Sequence, residues 1–196
     1  MCSFGFARSM GFALIPLAIC CIVANILLFF PGGALNYVEE KHISFYPWLF
    51  MGVGGGGVAV FLPAAVFLSM GKCAASCVTE SCAMCGSVLA SLVGLAGSGY
   101  CFVVSALALL TGPHCFTNLG WLYPFEKDNG SYLLNRDTWT MCIQPANIVE
   151  WDVTLLSILL GLSVLEFIIL FLQLVNGVVN AVCRPCCYKQ EYSLNA

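Results

Sequence analysis

The sequence predicts an all-α membrane protein: a bundle of four transmembrane helices with a disulfide-closed extracellular loop domain between the third and fourth helices. Of the 196 residues, 60% are hydrophobic and only 9% are charged, whereas about a quarter of the residues in a soluble domain are charged. Four long stretches have at most one charge, and a helix needs roughly 20 apolar residues to cross the hydrocarbon core. The net charge of −3 and the short basic tracts argue against nucleic-acid binding.

The first predicted span ends at a strong helix-breaking signal. Pro31-Gly32-Gly33 follows it, and proline cannot continue a helix while glycine favours a turn. A cleaved signal peptide is the alternative, which we disfavour because the apolar run exceeds a normal signal core and contains Asn25. The four predicted spans are residues 11–30, 47–70, 86–111 and 153–182.

Small residues in the second and third spans predict close helix contacts, because helices in lipid associate through backbone proximity and polar bonds. The second span contains Gly52, the glycine run 54–57 and Pro63. We favour close packing for this run, with a gating hinge as the alternative. The third span has a small residue at every fourth position: Gly86, Ala90, Gly94 and Ser98.

Glu166 is the most unusual residue, because a charge at the bilayer centre costs about 3 kcal/mol or more. At 3.6 residues per turn, Gln173, Asn176 and Asn180 share its broad helix face. We expect this polar stripe to face protein, with the Tyr100 hydroxyl as the partner of Glu166 at a matching depth. Interhelical bonding is favoured over proton or ion transport, because the other spans have few polar groups.

Charges and cysteines predict the orientation of the chain. We place residues 1–10, the loop 71–85 and the tail 183–196 in the cytoplasm, and the loops 31–46 and 112–152 outside. The cytoplasmic side then holds four of the seven basic residues, and the outer side holds seven of the ten acidic residues. The excess of Lys and Arg inside is small but in the expected direction.

Cys115 and Cys142 are the only cysteines in the large outer loop. An oxidising compartment favours a disulfide, which would contribute about 3.5 kcal/mol in the chain-entropy treatment. Two unpaired thiols are the alternative. The remaining membrane-edge cysteines lie on the cytoplasmic side and are candidates for S-palmitoylation; they are Cys2, Cys73, Cys77, Cys82, Cys85, Cys183, Cys186 and Cys187.

Two other roles are open to these cysteines: inert thiols, or, for the four between 73 and 85, a zinc site. The short gap between the middle two and the lack of a nearby histidine disfavour zinc, so we predict no metal. Cys20, Cys21 and Cys101 lie inside spans, where we expect them to be small apolar packing residues.

The large outer loop is unusually rich in aromatic residues, which predicts a small packed domain. Asn129-Gly130-Ser131 forms a glycosylation sequon in this loop. Trp151 and Trp48 are candidates for the aromatic belt at the headgroups. The aromatic residues are Phe116, Trp121, Tyr123, Phe125, Tyr132, Trp139 and Trp151.

No catalytic constellation is evident. His42 and His114 lie in different outer loops, without a nucleophile and an orienting group beside them. The sequence contains no phosphate loop, metal-ligand helix or dinucleotide fingerprint. We therefore predict a protein that is not an enzyme and uses no cofactor.

The chain resembles the transmembrane 4 L six family over nearly its full length. The segments that carry the resemblance are Met1-Cys2, Ala7-Arg8, Ala24-Asn25-Ile26-Leu27-Leu28, Phe30-Pro31-Gly32, Gly97-Ser98-Gly99-Tyr100-Cys101, Gly112-Pro113 with Cys115, Tyr132-Leu133-Leu134, Trp139 with Cys142, Val149-Glu150-Trp151 and Phe171-Leu172-Gln173-Leu174-Val175-Asn176-Gly177. The family also has a sequon just before the fourth span, where this chain has Asp152-Val153-Thr154.

The resemblance implies a tetraspanin-like, non-enzymatic scaffold of the plasma membrane or endosomes. Such proteins associate laterally with integrins, receptors and other four-span proteins and with membrane lipid, and they influence adhesion, migration and growth. Homo-oligomers are also possible for such a protein. The alternatives are a transporter, channel or small-molecule sensor built on the stripe around Glu166, and a cell-contact protein that acts in trans through its outer loops.

Overall fold

The computed structural model contains four helices that are long and apolar enough to cross a membrane, which confirms the predicted bundle. These spans are Gly5–Leu27, Tyr46–Ser69, Gly86–Thr111 and Ile148–Val179. The structure describes residues 4–30, 44–70, 77–127 and 130–194, and it describes side chains within 5–30, 44–69, 86–127 and 130–179.

The first, third and fourth long helices begin before the predicted spans and the fourth also ends beyond its span, whereas the first ends at Leu27 rather than at Phe30. Helix α1 is Phe4–Leu27, α2 is Ala59–Met70, α3 is Cys77–Thr111 and α4 is Ile148–Leu194. The polar residues Glu150 and Asp152, predicted to end the outer loop, lie in the first turns of α4. The apolar run marks the part of a helix that lipid can cover, and hydrogen bonding continues the helix into the polar region on either side.

The buried faces of α3 and α4 follow a heptad pattern, with steps that alternate between three and four residues. This period of 3.5 residues is that of helices in a left-handed supercoil. On α3 the buried residues are mostly small: Ser87, Ser91, Gly94, Ser98, Cys101, Ser105 and Ala108. On α4 most of them are larger: Leu156, Leu159, Ser163, Glu166, Leu170, Gln173 and Gly177.

Most of the predicted stripe of small residues on α3 lies on this buried face. Ala90, Gly94 and Ser98 are buried. A Cβ atom added to Gly94 would lie 2.9 Å from the Leu170 side chain, so a larger residue would separate α3 from α4. The prediction is wrong for Gly86, because open space surrounds it; a strict four-residue step drifts away from a contact line that repeats every 3.5 residues.

The glycine run of the second span packs closely against two neighbouring helices, as the favoured close-packing prediction required. A π-helix, Met51–Val58, precedes α2 and follows a short 3₁₀ helix at Tyr46–Leu49. A Cβ atom on Gly52 would lie 2.5 Å from the carbonyl oxygen of Cys21 on α1. A Cβ atom on Gly55 would lie 2.7 Å from the carbonyl oxygen of Gly97 on α3. The glycines therefore let the second span approach both neighbouring backbones.

The segment between α3 and α4, residues 112–147, folds into a small domain that we call the cap. It contains an antiparallel hairpin of β1, Cys115–Thr117, and β2, Gly120–Leu122, with Phe116 opposite Trp121. Phe116 also forms a bridge to Gln144. Two 3₁₀ helices follow the hairpin in sequence, at Ser131–Leu133 and Arg136–Met141. The hairpin is an addition to the predicted all-α architecture, since strands of three residues leave no clear alternation in a sequence.

Replacing Gly52 with alanine should destabilise the bundle, because the new methyl group would meet the backbone of α1. Overpacking of this kind costs about 1–3 kcal/mol. Gly54 is the matched control within the same π-helix, because a Cβ atom there would contact nothing within 4 Å. We expect Gly54→Ala to stay within about 0.5 kcal/mol of wild type. Thermal unfolding in detergent measures the stability of both variants. Equal losses of stability in the two would contradict this account of the crossing.

Candidate functional site

Glu166 lies at the centre of the bundle, in the heptad face of α4. Its side chain is fully buried, at 0% exposure. One carboxyl oxygen, Oε1, accepts a hydrogen bond from the Cys21 thiol of α1, with 3.5 Å between sulfur and oxygen. Gly56 of the π-helix faces the other oxygen, since a Cβ atom there would lie 3.3 Å from Oε2. The prediction that Glu166 faces protein is confirmed.

The predicted pairing of Glu166 with Tyr100 is wrong. The Tyr100 hydroxyl donates to the carbonyl oxygen of Leu49 at 2.9 Å, towards the end of the bundle that carries the cap. Tyr100 is 43% exposed and lies on a different face of α3 from the buried Cys101, because each residue turns a helix by about 100°. The next residue, Cys101, is fully buried and belongs to the same core cluster as Cys21.

Sequence reasoning therefore underestimated the buried cysteines. Cys21 and Cys101 are indeed small and buried, but Cys21 also supplies the polar contact to Glu166. Cys101 lies on the heptad face of α3, and a residue there must point at the neighbouring helices. Cys20, one position before Cys21, is exposed.

The remainder of the polar stripe binds α3 to α4. The buried Gln173 donates from Nε2 to the Ser87 hydroxyl at 3.3 Å. Asn176 donates to Gln173 Oε1 at 3.4 Å, so the three side chains form a continuous chain of hydrogen bonds. The side chain of Asn180, also predicted in this stripe, lies outside the described part of the structure. These contacts give Gln173 and Asn176 a structural role between helices.

Asn25 is a second fully buried polar residue of the core, at 0% exposure. It lies on α1 one turn beyond Cys21, against Gly52. Neither its amide nitrogen nor its oxygen has a hydrogen-bond partner among the residues that the structure describes, and the same holds for Oε2 of Glu166. The intramembrane cluster of Cys21, Asn25, Cys101 and Glu166 therefore contains both satisfied and unsatisfied polar atoms.

The cap has its own hydrophobic core, as its aromatic content predicted. The rings of Phe125 and Tyr132 are fully buried and stack at 4.5 Å between centroids. Cys115 and Cys142 form the predicted disulfide beside them. The Trp139 indole donates to the Tyr132 carbonyl oxygen at 2.8 Å. A packed aromatic centre and a disulfide together give the cap a defined shape.

One aromatic donor attaches the cap to the bundle, and another joins two helices. The Tyr132 hydroxyl of the cap donates to the carbonyl oxygen of Leu109 in the last turn of α3, where carbonyl groups have no partner within the helix. The Trp151 indole, in the first turn of α4, donates to the carbonyl oxygen of Leu27 at the end of α1 at 3.0 Å. The first bond holds the cap on α3, and the second holds α4 against α1.

Burial also affects the ionisation of Tyr132. Desolvation raises the pKa of its phenol above the usual range, and the nearby Asp152 carboxylate raises it further. The neutral phenol is the form that can donate a hydrogen bond to Leu109. The cap is therefore held to α3 by a group that stays protonated in the folded protein.

The outer surface of the cap exposes apolar side chains. Leu119, in the turn of the hairpin, is 90% exposed, and Leu134, after the first 3₁₀ helix, is 94% exposed. Met141 and Ile143, which flank the disulfide residue Cys142, are exposed as well. Large exposed apolar side chains on a small packed domain are typical of interaction surfaces.

His114 is part of the aromatic surface of the cap. Its ring stacks on Trp121 at 5.7 Å and contacts the Tyr123 ring at 4.8 Å. Trp48 lies at the same end of the bundle as Trp151, in edge contact with Phe29 at 5.3 Å. Where side chains are described, no group of three or more His, Cys, Asp or Glu residues could hold a metal ion.

The predicted modification sites fall outside what the structure describes. Cys2, Cys73 and Asn129 lie in segments without described coordinates, as does His42. The other lipidation candidates lie within α3 and α4, but their side chains are outside the described ranges; they are Cys77, Cys82, Cys85, Cys183, Cys186 and Cys187. Their roles stay predictions.

Comparisons with known proteins agree with this architecture. A family model for L6 membrane proteins matches residues 1–187. The chain is 47% identical to human Transmembrane 4 L6 family member 1, over 98% of this chain and 99% of the relative. It is 42% identical to family member 5 of Bos taurus, over 98% of this chain and 100% of the relative. It is also 42% identical to family member 4 of Rattus norvegicus, over 95% of this chain and 94% of the relative. No solved structure matches.

Tyr132→Phe should weaken the cap in a way that depends on pH. At neutral pH the lost hydrogen bond to Leu109 should cost about 1 kcal/mol. The pKa of Tyr132 is raised in the folded protein. Its contribution to the free energy of unfolding should therefore be complete below about pH 10 and should decrease at higher pH, where the phenol ionises in the unfolded chain. The variant should lack the Tyr132 part of that alkaline loss. Thermal unfolding of wild type and variant across this range measures both effects.

Removing the disulfide should loosen the cap while leaving the bundle intact. Replacing Cys115 and Cys142 together with alanine should cost the cap about 3.5 kcal/mol, the chain-entropy value for a loop of this length. Limited proteolysis should then cleave within residues 112–147 first. Cys20→Ala is the control, because this exposed thiol is free. Equal protease resistance of the double variant and wild type would contradict this role.

Proposed function

Since the chain belongs to the L6 membrane protein family, we propose that it is a non-enzymatic, tetraspanin-like scaffold that gathers other membrane proteins by lateral association. Integrins, receptors and other four-span proteins are the partner classes we propose, with adhesion, migration and growth as the processes affected. The plasma membrane is the proposed site of action, with endosomes as a second location.

The observation that carries this proposal is the cap. It is a packed domain, closed by the Cys115–Cys142 disulfide and bonded through Tyr132 to the end of α3. Leu119 and Leu134 project from it into the surroundings. A fixed domain with exposed apolar side chains can recognise a partner protein with little loss of conformational entropy.

The outer faces of the helices supply a second surface for lateral association. Their exposed side chains are large and apolar, as contact with lipid requires. Such faces bind lipid or the span of another membrane protein equally well. We therefore propose that the cap selects the partner and that the helix faces hold the partner nearby in the membrane. On α1 and α4 these residues are Phe12, Ile19, Val23, Ile26, Leu165, Phe167, Ile168, Phe171, Leu172 and Val175.

The disulfide supports the proposed orientation, because disulfides persist in oxidising compartments. We therefore propose that the cap faces the cell exterior or the endosomal lumen, with both termini in the cytoplasm. In this orientation Asn129 is accessible for glycosylation. The cysteines of the N-terminus, of the 71–85 loop region and of the tail are then accessible for acylation, which would hold the protein in lipid-ordered clusters.

Transport through the Glu166 cluster is the weaker candidate. The carboxyl group is fully buried beside Cys21 and Gly56, and the glycine contacts hold the helices close around it. A Glu166→Gln variant that folds and reaches the surface distinguishes the two functions. The scaffold proposal expects unchanged partner capture, whereas transport requires loss of flux.

Partner capture should depend on the exposed leucines of the cap. Replacing Leu119 and Leu134 together with serine should reduce capture at least several-fold in proximity labelling of intact cells, because both side chains are almost fully exposed. Folding should be unaffected for the same reason. Glu126→Gln is the control, since Glu126 is an exposed polar residue of the same domain. Unchanged labelling in the leucine variant, at equal surface levels, would contradict the assignment of partner selection to the cap.

A further inference from the structure

A cavity of about 210 Å³ lies beside the first turns of α4, where the fourth span begins. It is lined by Asn147, Glu150, Trp151, Thr154 and Leu155. Their spacing of three and four residues places them on one side of the helix. The cavity is smaller than the pockets of about 300–1,000 Å³ that hold whole small molecules, so it suits a single chemical group of a larger ligand.

The wall of this cavity is almost entirely apolar, although three of its five residues are polar. The indole N–H of Trp151 is bonded to the carbonyl oxygen of Leu27 at 3.0 Å. The Thr154 hydroxyl donates to the carbonyl oxygen of Glu150 at 2.7 Å. Both donors are therefore occupied, and a ligand in the cavity meets mainly the ring of Trp151 and the side chain of Leu155.

The acidic residue of the cavity decides the charge of its ligand. Glu150 is exposed and lines the cavity, so it favours a cation and disfavours an anion. A primary ammonium would leave N–H groups unbonded against the apolar wall, which is costly. A quaternary ammonium has no N–H group to satisfy, and tryptophan is the aromatic side chain that binds such a cation best through its ring face. The chemistry of the cavity therefore favours a quaternary ammonium.

The position of the cavity favours a lipid as the source of this cation. The cavity lies at the beginning of the span Ile148–Val179, where a membrane helix meets the lipid headgroups. Ile158 and Leu165 follow Trp151 at steps of seven residues, or about two turns, and both are exposed and apolar. An acyl chain can follow these side chains along α4 while its headgroup occupies the cavity.

We propose that Glu150 and Trp151 bind the choline headgroup of a phospholipid in the leaflet on the cap side of the membrane. The trimethylammonium group occupies the cavity against Trp151 and Leu155, and the Glu150 carboxylate is its counter-ion. The site is independent of the proposed scaffold function. Because the Trp151 indole is bonded to Leu27 of α1, the bound lipid lies where α1 and α4 meet.

Native mass spectrometry of the full-length protein tests the site, after release from nanodiscs with equal amounts of phosphatidylcholine, phosphatidylethanolamine and phosphatidylglycerol. Wild type should retain phosphatidylcholine in preference to the other two lipids. Glu150→Gln should reduce this preference about fivefold, because it removes the counter-ion. Equal retention of phosphatidylcholine and phosphatidylethanolamine by wild type would overturn the proposal, since it would indicate an ion pair with any ammonium headgroup.

Matched variants separate the site from general effects of charge and stability. Glu126→Gln removes another exposed acidic residue and should leave the lipid preference unchanged; a loss equal to that of Glu150→Gln would overturn the proposal. Trp151→Phe and Trp151→Leu both lose the indole bond to Leu27, but only the first keeps an aromatic ring. Trp151→Phe should therefore retain more of the preference for phosphatidylcholine. Equal preference in these two variants would also overturn it.

A phosphatidylcholine with a photoreactive group in its headgroup locates the bound lipid directly. Its crosslinks to wild type should map to residues 147–155 and should decrease in Glu150→Gln. Crosslinks spread evenly over the cap and the helix ends would overturn the proposal. Choline chloride should displace the lipid only at much higher concentration, because it lacks the acyl chains that follow α4. Displacement by choline chloride at the same concentration as the lipid would overturn the assignment to a lipid and indicate a small soluble cation.

Discussion

The bundle depends on close backbone approach where the second span crosses its neighbours. Helices surrounded by lipid gain little from burying apolar surface against each other, so contact distance and polar bonds decide which faces meet. Gly52 meets the backbone of α1, and Gly55 meets Gly97 of α3. This close approach places Cys21 and Glu166 within reach of each other. The polar cluster is therefore a result of the glycine crossing, and any enlargement of the glycines would separate its members.

A second theme is the use of aromatic donors at the ends of helical segments. Tyr100, Tyr132 and Trp151 each donate to a main-chain carbonyl oxygen, of Leu49, Leu109 and Leu27 respectively. Tyrosine and tryptophan suit this task, since the ring is apolar and the donor sits at its edge. The Tyr132 bond positions the cap on α3, whereas the Tyr100 and Trp151 bonds join helical segments of the bundle to one another.

Sequence alone predicted the large features because strong physical signals mark them. Long uncharged stretches revealed the spans, and two isolated cysteines revealed the disulfide. The burial of Glu166 followed from the cost of a charge in lipid. The hydrogen-bond partner of Glu166 could not be predicted in this way. Depth along a helix can be counted from the sequence, but which side of a neighbouring helix faces Glu166 depends on how the helices cross. Tyr100 is exposed, whereas its neighbour Cys101 is buried in the core. The hairpin of the cap was missed because its strands are short.

The attachment of the cap to α3 tolerates changes in sequence. The hydrogen bond from the Tyr132 hydroxyl ends on the carbonyl oxygen of Leu109, an atom of the peptide backbone. Every amino acid provides that acceptor, so replacing Leu109 leaves the docking bond available. Leu119 and Leu134 are almost fully exposed, so their side chains can also vary while this anchoring contact stays in place.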